Sequence, residues 1–110
     1  MGKQGLGELE LLVLLAALRL GADEAYAVSV GDDIEARTGR VVQRASVYVT
    51  LQRLEAKGLV VSRLGPPRAE RGGRPRRLVR VTAAGVNAVD AARSALTSMW
   101  SDIGHPRRSR

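Results

Sequence analysis

The chain has 110 residues, 45% hydrophobic and 26% charged, a composition that predicts one globular domain and excludes a disordered chain. It has no cysteine, which excludes a disulfide scaffold and a thiolate metal site and fits a reducing compartment such as the cytoplasm. The net charge of +7 is unevenly placed: residues 1–36 hold two basic and seven acidic groups, whereas residues 37–80 hold twelve basic and two acidic groups, which favours a polyanionic partner.

The first predicted element is a helix over residues 8–20, because apolar side chains recur there at spacings of three and four. A helix that is apolar nearly all round must be covered on several faces. We therefore expect one side to pack into the domain core and the other side to meet a second subunit. The longest apolar run, residues 11–18, is too short to cross a membrane. The side assigned to the second subunit consists of Leu11, Leu14, Leu15 and Leu18.

A second helix is predicted over residues 25–37 and a third over residues 44–57. Val47, Leu51 and Leu54 form the expected buried stripe of the third helix. Gly58 follows directly and is placed to end that helix. Gln43 precedes it and is a poor capping residue, so we expect a weak helix start.

Two short β-branched segments, residues 59–64 and 76–82, predict the strands of a hairpin. The intervening residues 65–75 are rich in glycine, proline and arginine and predict a long tip. Thr82 is placed to cap a fourth helix over residues 83–103. Its apolar residues are spaced 3, 4, 3 and 4, which is typical of a helix that pairs with another helix.

Three helices followed by a hairpin predict a mainly α fold with a small β-hairpin, the winged helix-turn-helix. We expect this DNA-binding domain over residues 1–82, a C-terminal dimerisation helix over residues 83–104 and a basic tail over residues 105–110. The third helix would enter the major groove of DNA, and the hairpin would form a wing on the flanking backbone or minor groove.

Helical geometry selects the side chains of the third helix that face away from its buried stripe. Among these, Arg53 is placed to bind guanine or phosphate, Gln52 to read adenine, and Ala45 and Val49 to touch thymine methyl groups. Thr50 lies on the flank, where a DNA contact and a structural role are both open. The predicted DNA-binding residues are Arg44, Ala45, Ser46, Tyr48, Val49, Gln52 and Arg53 of the helix, and Arg68, Arg71, Arg74, Arg76 and Arg77 of the wing.

Trp100 is the only tryptophan and lies beside Met99 near the end of the fourth helix. Two interpretations are open: packing in a dimer interface, or a wall, formed with Met99, for a flat aromatic effector between two subunits. On the fourth helix, the predicted interface residues are Val89, Ala92, Leu96, Met99, Trp100 and Ile103.

Three stretches resemble the PadR family of bacterial transcriptional regulators: "SVYVTLQRLEAKGLV" at 46–60, "ERGGRPRRLVRVTAAG" at 70–85 and "AYAVSVGDDIEARTGR" at 25–40. The resemblance spans nearly the whole chain and is to the short form with one C-terminal helix. It implies a homodimer, usually a repressor, on a roughly palindromic operator, with the last helix against the first helix of the partner. It also implies that a phenolic or drug-like compound can release the DNA in some members.

Other functions fit the sequence less well. The sole histidine, His105, lies in the tail, and Ser94 with Asp90 lacks a base, so we expect no enzyme, no metal and no cofactor. A basic RNA-binding domain is one alternative, although Tyr26, Tyr48 and Trp100 are too dispersed for a base-stacking platform. A winged helix that binds another protein is the second alternative, and a weak salt dependence of binding would identify it.

Overall fold

The structure is a computed structural model that describes residues 5–67 and 75–103. Three helices precede a two-stranded antiparallel hairpin, and a longer helix follows it. This architecture confirms the predicted mainly helical winged helix-turn-helix. In chain order the elements are α1 (Glu8–Leu20), α2 (Ala27–Thr38), α3 (Arg44–Ala56), β1 (Val60–Pro67), β2 (Pro75–Val81) and α4 (Ala83–Trp100).

Local signals fix most of the helix ends. Gly58 adopts a φ of 77°, a left-handed conformation that ends α3 at little cost for glycine. The Thr82 hydroxyl accepts a hydrogen bond from the Gly85 amide at 3.1 Å and so caps α4, as predicted. Gln43 makes no side-chain capping bond, in line with the weak start expected for α3. The predicted end of α4 was wrong, because the helix stops at Trp100 and Ile103 lies in the turn beyond it.

The strands extend further into the glycine- and proline-rich stretch than predicted, since β1 continues through residues 65–67. Gly65 is buried there, and a Cβ at this position would lie 2.6 Å from the Leu78 Cδ1 atom. Glycine therefore leaves room for the buried Leu78 side chain of the other strand and does not form a turn here. The register becomes irregular between Leu64 and Pro67, where prolines cannot donate to the ladder.

The core is aliphatic and is shared by all three N-terminal helices and the hairpin root. Val13, Val30, Val47, Leu54 and Val60 have at most 1% of their surface exposed. Such a core draws its stability from burial of branched side chains at high packing density.

One predicted interface residue is part of this core. Leu14 was assigned to the second subunit, but it is fully buried within its own chain. The reason is that α1 contacts α2, α3, β2 and α4. These elements cover more of the α1 surface than the one core-facing side that the apolar spacing predicted. On the same helix, Leu15 and Leu18 keep 38% and 41% of their surface exposed.

Backbone and side-chain hydrogen bonds attach the hairpin to the connection between α1 and α2. The Val79 amide donates to the Ala25 carbonyl at 2.9 Å. From the other strand, Arg63 donates to the Ala22 carbonyl at 3.3 Å and forms an ion pair of 3.0 Å with Asp23. The base of the hairpin is therefore fixed to the helical body. No helix in the described part of the chain is long and apolar enough to cross a membrane.

Candidate nucleic-acid interface

Helix α3 presents two contrasting faces. Val47, Leu51 and Leu54 are buried, as predicted, and Thr50 joins them with 4% of its surface exposed. The Thr50 hydroxyl donates to the Ser46 carbonyl at 2.7 Å, so this flank residue bonds within the helix and is not part of the exposed face. Nine residues of α3 are exposed. Two of them are Glu55 and Ala56, and the other seven, which we call the outer face, are the residues that the sequence assigned to DNA: Arg44, Ala45, Ser46, Tyr48, Val49, Gln52 and Arg53.

Several basic side chains elsewhere are neutralised by ion pairs with the acidic N-terminal helices. Arg19 pairs with Asp33 at 3.0 Å, and Lys57 pairs with Glu10 at 2.7 Å. The hydrogen bond from Arg19 lowers the pKa of Asp33, and that from Lys57, followed by the Gly7 amide, lowers the pKa of Glu10. These acids thus remain ionised and offset the positive charge of Arg19 and of Lys57, which lies at the C-terminal end of α3.

The arginines on the outer face of α3 are placed differently. Arg44 and Arg53 are exposed, and neither forms an ion pair with any residue in the described ranges 5–67 and 75–103. Their positive charge is directed to solvent from the face that also carries Gln52 and Ser46. A phosphate backbone or a base edge is the kind of partner that such a face can bind.

Of the wing arginines predicted to bind DNA, Arg76 and Arg77 lie within the described residues, on opposite faces of β2 because successive strand residues alternate. The guanidinium carbon of Arg76 lies 5.2 Å from the centre of the Tyr26 ring, and the Arg76 Nε is buried without a hydrogen-bond partner among the described residues. Arg76 is therefore packed partly against the helical body, a position the sequence did not predict. Arg77 remains exposed and donates from Nη1 to the Ser62 hydroxyl at 3.0 Å. The other predicted wing residues, Arg68, Arg71 and Arg74, lie outside the described residues.

A shallow cleft of about 270 Å³ separates α3 from the hairpin, and we refer to it as the α3–hairpin cleft. Sequence reasoning missed Glu55 and Ser62 in it. A signal for Glu55 was present, since Tyr48, Gln52 and Glu55 are spaced four and three apart on one helical stripe. No local pattern identifies Ser62, because only strand pairing brings it to this site. The cleft is lined by Tyr26, Ala27, Tyr48, Leu51, Gln52, Glu55, Ser62, Arg77 and Val79.

The predicted dimer residues of α4 divide into two groups. Val89 packs on the core of its own chain, and Ala92 is half-buried. Further along, Leu96, Met99 and Trp100 have 52%, 77% and 54% of their surface exposed. Met99 and Trp100 do not line the α3–hairpin cleft. Within the described residues, no group of three or more histidine, cysteine or carboxylate side chains could hold a metal ion.

Comparisons with known proteins agree with this architecture. Residues 14–91 match the family model described as the transcriptional regulator PadR-like family. The comparison with curated proteins gives no match.

Similar solved structures include a PadR family regulator from Eggerthella lenta, 24% identical, with a TM-score of 0.67 over 88% of this chain and 83% of that one. A PadR-like factor from Bacteroides fragilis is 22% identical, with a TM-score of 0.68 over 88% and 87%. A transcriptional regulator from Thermoplasma acidophilum is 20% identical, with a TM-score of 0.69 over 86% and 89%. These three likenesses show a shared fold.

Proposed function

The chain belongs to the PadR-like family of transcriptional regulators, and from that premise we propose that it is a homodimeric repressor that binds a roughly palindromic operator. Family membership makes it a DNA-binding regulator of transcription and confirms the expectation that it is not an enzyme. The observation that carries the proposal is the outer face of α3, where Arg44 and Arg53 are exposed and form no ion pair with any described residue.

In this proposal α3 lies in the major groove and reads base edges. Arg53 binds guanine or a phosphate, and Gln52 binds adenine through its amide. The small apolar surfaces of Ala45 and Val49 contact thymine methyl groups, and Ser46 donates to a phosphate. Tyr48 is 48% exposed, so its ring is half covered by the protein while part of its surface remains free for the backbone of DNA.

The hairpin supplies the second contact region. Arg77 reaches the phosphate backbone beside the groove that α3 occupies, and the wing residues Arg68, Arg71 and Arg74 extend this contact. Each arginine that neutralises a phosphate releases a counterion, so the wing contributes affinity that does not depend on base sequence.

A second copy of the chain would cover the apolar surface of α4. Leu96, Met99 and Trp100 form an exposed apolar patch, which a monomeric soluble protein does not usually retain. The exposed Leu15 and Leu18 of α1, with the half-buried Leu11, provide the complementary surface. Pairing two chains sets two copies of α3 about one helical turn of DNA apart, roughly 34 Å, in line with twofold half-sites.

The same patch supports an effector site. Trp100 and Met99 offer a flat ring and a polarisable side chain between the two subunits, and an aromatic ligand stacked there would change the angle between them. Titration of the purified dimer with planar aromatic compounds should quench or shift the tryptophan fluorescence. Unchanged fluorescence across a panel of such compounds would count against this part of the proposal.

Selection of bound fragments from random duplex DNA tests the main proposal. We expect two inverted half-sites one helical turn apart, and an affinity that falls by orders of magnitude between low and moderate salt for about six to ten phosphate contacts. Arg53→Ala should change the preferred base at one position of each half-site. Arg19→Ala is the charge-matched control, because it removes a cation from the ion pair with Asp33 and should leave base preference unchanged.

The alternatives predict other results of the same experiment. A preference for hairpin RNA over every duplex would favour an RNA-binding domain. Binding that depends only weakly on salt, or no enrichment of DNA, would favour a protein-interaction module.

A further inference from the structure

We propose that Glu55 and Ser62 are positioning residues for DNA binding, which hold the Arg77 guanidinium beside the reading face of α3. This inference rests on the proposed function and adds two residues to it. Arg77 donates from Nη1 to the Ser62 hydroxyl oxygen at 3.0 Å. The same hydroxyl lies 3.1 Å from Oε1 and 3.0 Å from Oε2 of Glu55.

The direction of this hydrogen-bonded chain is fixed by its end groups. A guanidinium can only donate and a carboxylate can only accept, so the Ser62 hydroxyl must accept from Arg77 and donate to Glu55. Both bonds involve a charged group and are stronger than bonds between neutral groups. Ser62 is the necessary link, because the Glu55 carboxylate forms no ion pair with any described residue.

These hydrogen bonds join three elements at the place where α3 and the wing would both contact DNA. Glu55 lies on α3, Ser62 on β1 and Arg77 on β2. Gln52, the predicted reader of adenine, and Arg77 both line the α3–hairpin cleft. The Arg77 side chain is exposed, and the bond to Ser62 is its one side-chain hydrogen bond within the described residues, so we assign its orientation to that bond.

Because Glu55 is negatively charged, the direction in which its removal changes DNA affinity tests the proposal. A carboxylate near phosphates repels them, so its removal should by charge alone tighten binding to every duplex. If Glu55 instead orients Arg77 through Ser62, its removal should weaken binding to the preferred duplex. The two effects are opposite in direction and can be separated by one measurement.

The experiment uses the full chain and a duplex selected from random DNA with the wild-type protein. Glu55→Ala and Ser62→Ala should each weaken binding about tenfold, the size of one charge-assisted hydrogen bond in an interface that excludes water. Ser62→Thr keeps the hydroxyl and should bind within about twofold of the wild type. Thermal unfolding of each variant verifies the fold, which we expect to persist because Glu55 is exposed and alanine favours helices.

A double-mutant cycle separates positioning from a general structural role. Arg77→Ala should lower the slope of affinity against salt by about one. In the Arg77→Ala background, Glu55→Ala and Ser62→Ala should cause no further loss. Tighter or unchanged binding by Glu55→Ala, or a loss that persists without Arg77, overturns the inference and leaves the proposed function intact. Failure of the wild type to bind any duplex in a salt-dependent manner overturns both.

Discussion

Helices α3 and α4 carry apolar stripes of the same kind, but their surroundings differ. The stripe of α3 is covered by its own chain, with Val47 and Leu54 fully buried. On α4, Leu96 and Trp100 remain more than half exposed. Gly85 is the one fully buried residue among those described in that helix. An apolar stripe therefore specifies that a face must be covered, and the fold decides whether its own chain or a second one covers it.

The sharpest test of this contrast is Leu96→Glu. A charge in the proposed interface should convert the dimer to a monomer, and loss of simultaneous binding to two half-sites should weaken DNA binding by about a hundredfold or more. Sedimentation and DNA titration measure the two effects. Ser94→Glu places the same charge on the opposite side of α4 and should preserve the dimer. A Leu96→Glu variant that remains dimeric would show that another surface joins the chains.

The matching change in α3 should act on the single chain. Leu54→Ala removes a fully buried side chain and leaves a cavity, so we expect the free energy of unfolding to fall by about 2–5 kcal/mol. Denaturant unfolding at several protein concentrations measures it. The loss in the free energy of unfolding for Leu54→Ala should be the same at every protein concentration. Leu96→Ala should mainly reduce the increase in stability that comes from dimerisation at higher protein concentration. If both variants show the same dependence on protein concentration, α3 and α4 do not differ in which chain covers their apolar stripes.

The first turn of α4 provides a smaller test, since it packs closely against Leu59 and Val81 of its own chain. A Cβ on Gly85 would overlap the Leu59 carbonyl oxygen and lie 2.6 Å from the Val81 Cγ1 atom. Gly85→Ala should therefore cost about 1–3 kcal/mol in the free energy of unfolding, although alanine favours helices. Ala84→Ser, at an exposed neighbour, should change stability by less than about 0.5 kcal/mol. A stabilised Gly85→Ala variant would contradict the close approach.

The smallest expected effect concerns the ion pair that ties α1 to the end of α3. The hydrogen bond from Lys57 holds the pKa of Glu10 below its ordinary value of 4.5, so the folded state binds this proton less readily than the unfolded chain. The resulting stability is present above the ordinary pKa and is lost as the pH falls through the lowered value. Glu10→Gln should reduce the free energy of unfolding near neutral pH by less than about 1 kcal/mol. It should also narrow the difference in the free energy of unfolding between neutral and acidic pH. Thermal unfolding across that range measures it, and an unchanged pH profile would contradict it.

The sequence predicted what depends on periodicity along the chain. The spacing of Val47, Leu51 and Leu54 was sufficient to identify the inner face of α3, and the exposed face followed from helix geometry. Capping by Thr82 depended on one residue and its neighbours and was also predictable. These features arise within a few residues of each other.

Features that depend on contacts distant in sequence were missed. Leu14 is buried because four other elements surround α1, which no pattern within α1 can indicate. Gly65 belongs to a glycine- and proline-rich stretch typical of turns, but it lies in β1 and leaves room for the Leu78 side chain. The bonds among Glu55, Ser62 and Arg77 require the register of the hairpin against α3, which local periodicity does not supply.

The bond between the Val79 amide and the Ala25 carbonyl has a consequence for how operators can vary. It joins the base of the hairpin to the helical body, so bending at that base should contribute little to the distance between the two wings of the proposed dimer. In the proposed dimer, we then expect the angle between the chains to set the distance between half-sites. An inserted or deleted base pair between the half-sites would have to be absorbed by twisting the duplex, and tolerance of spacer length should be narrow.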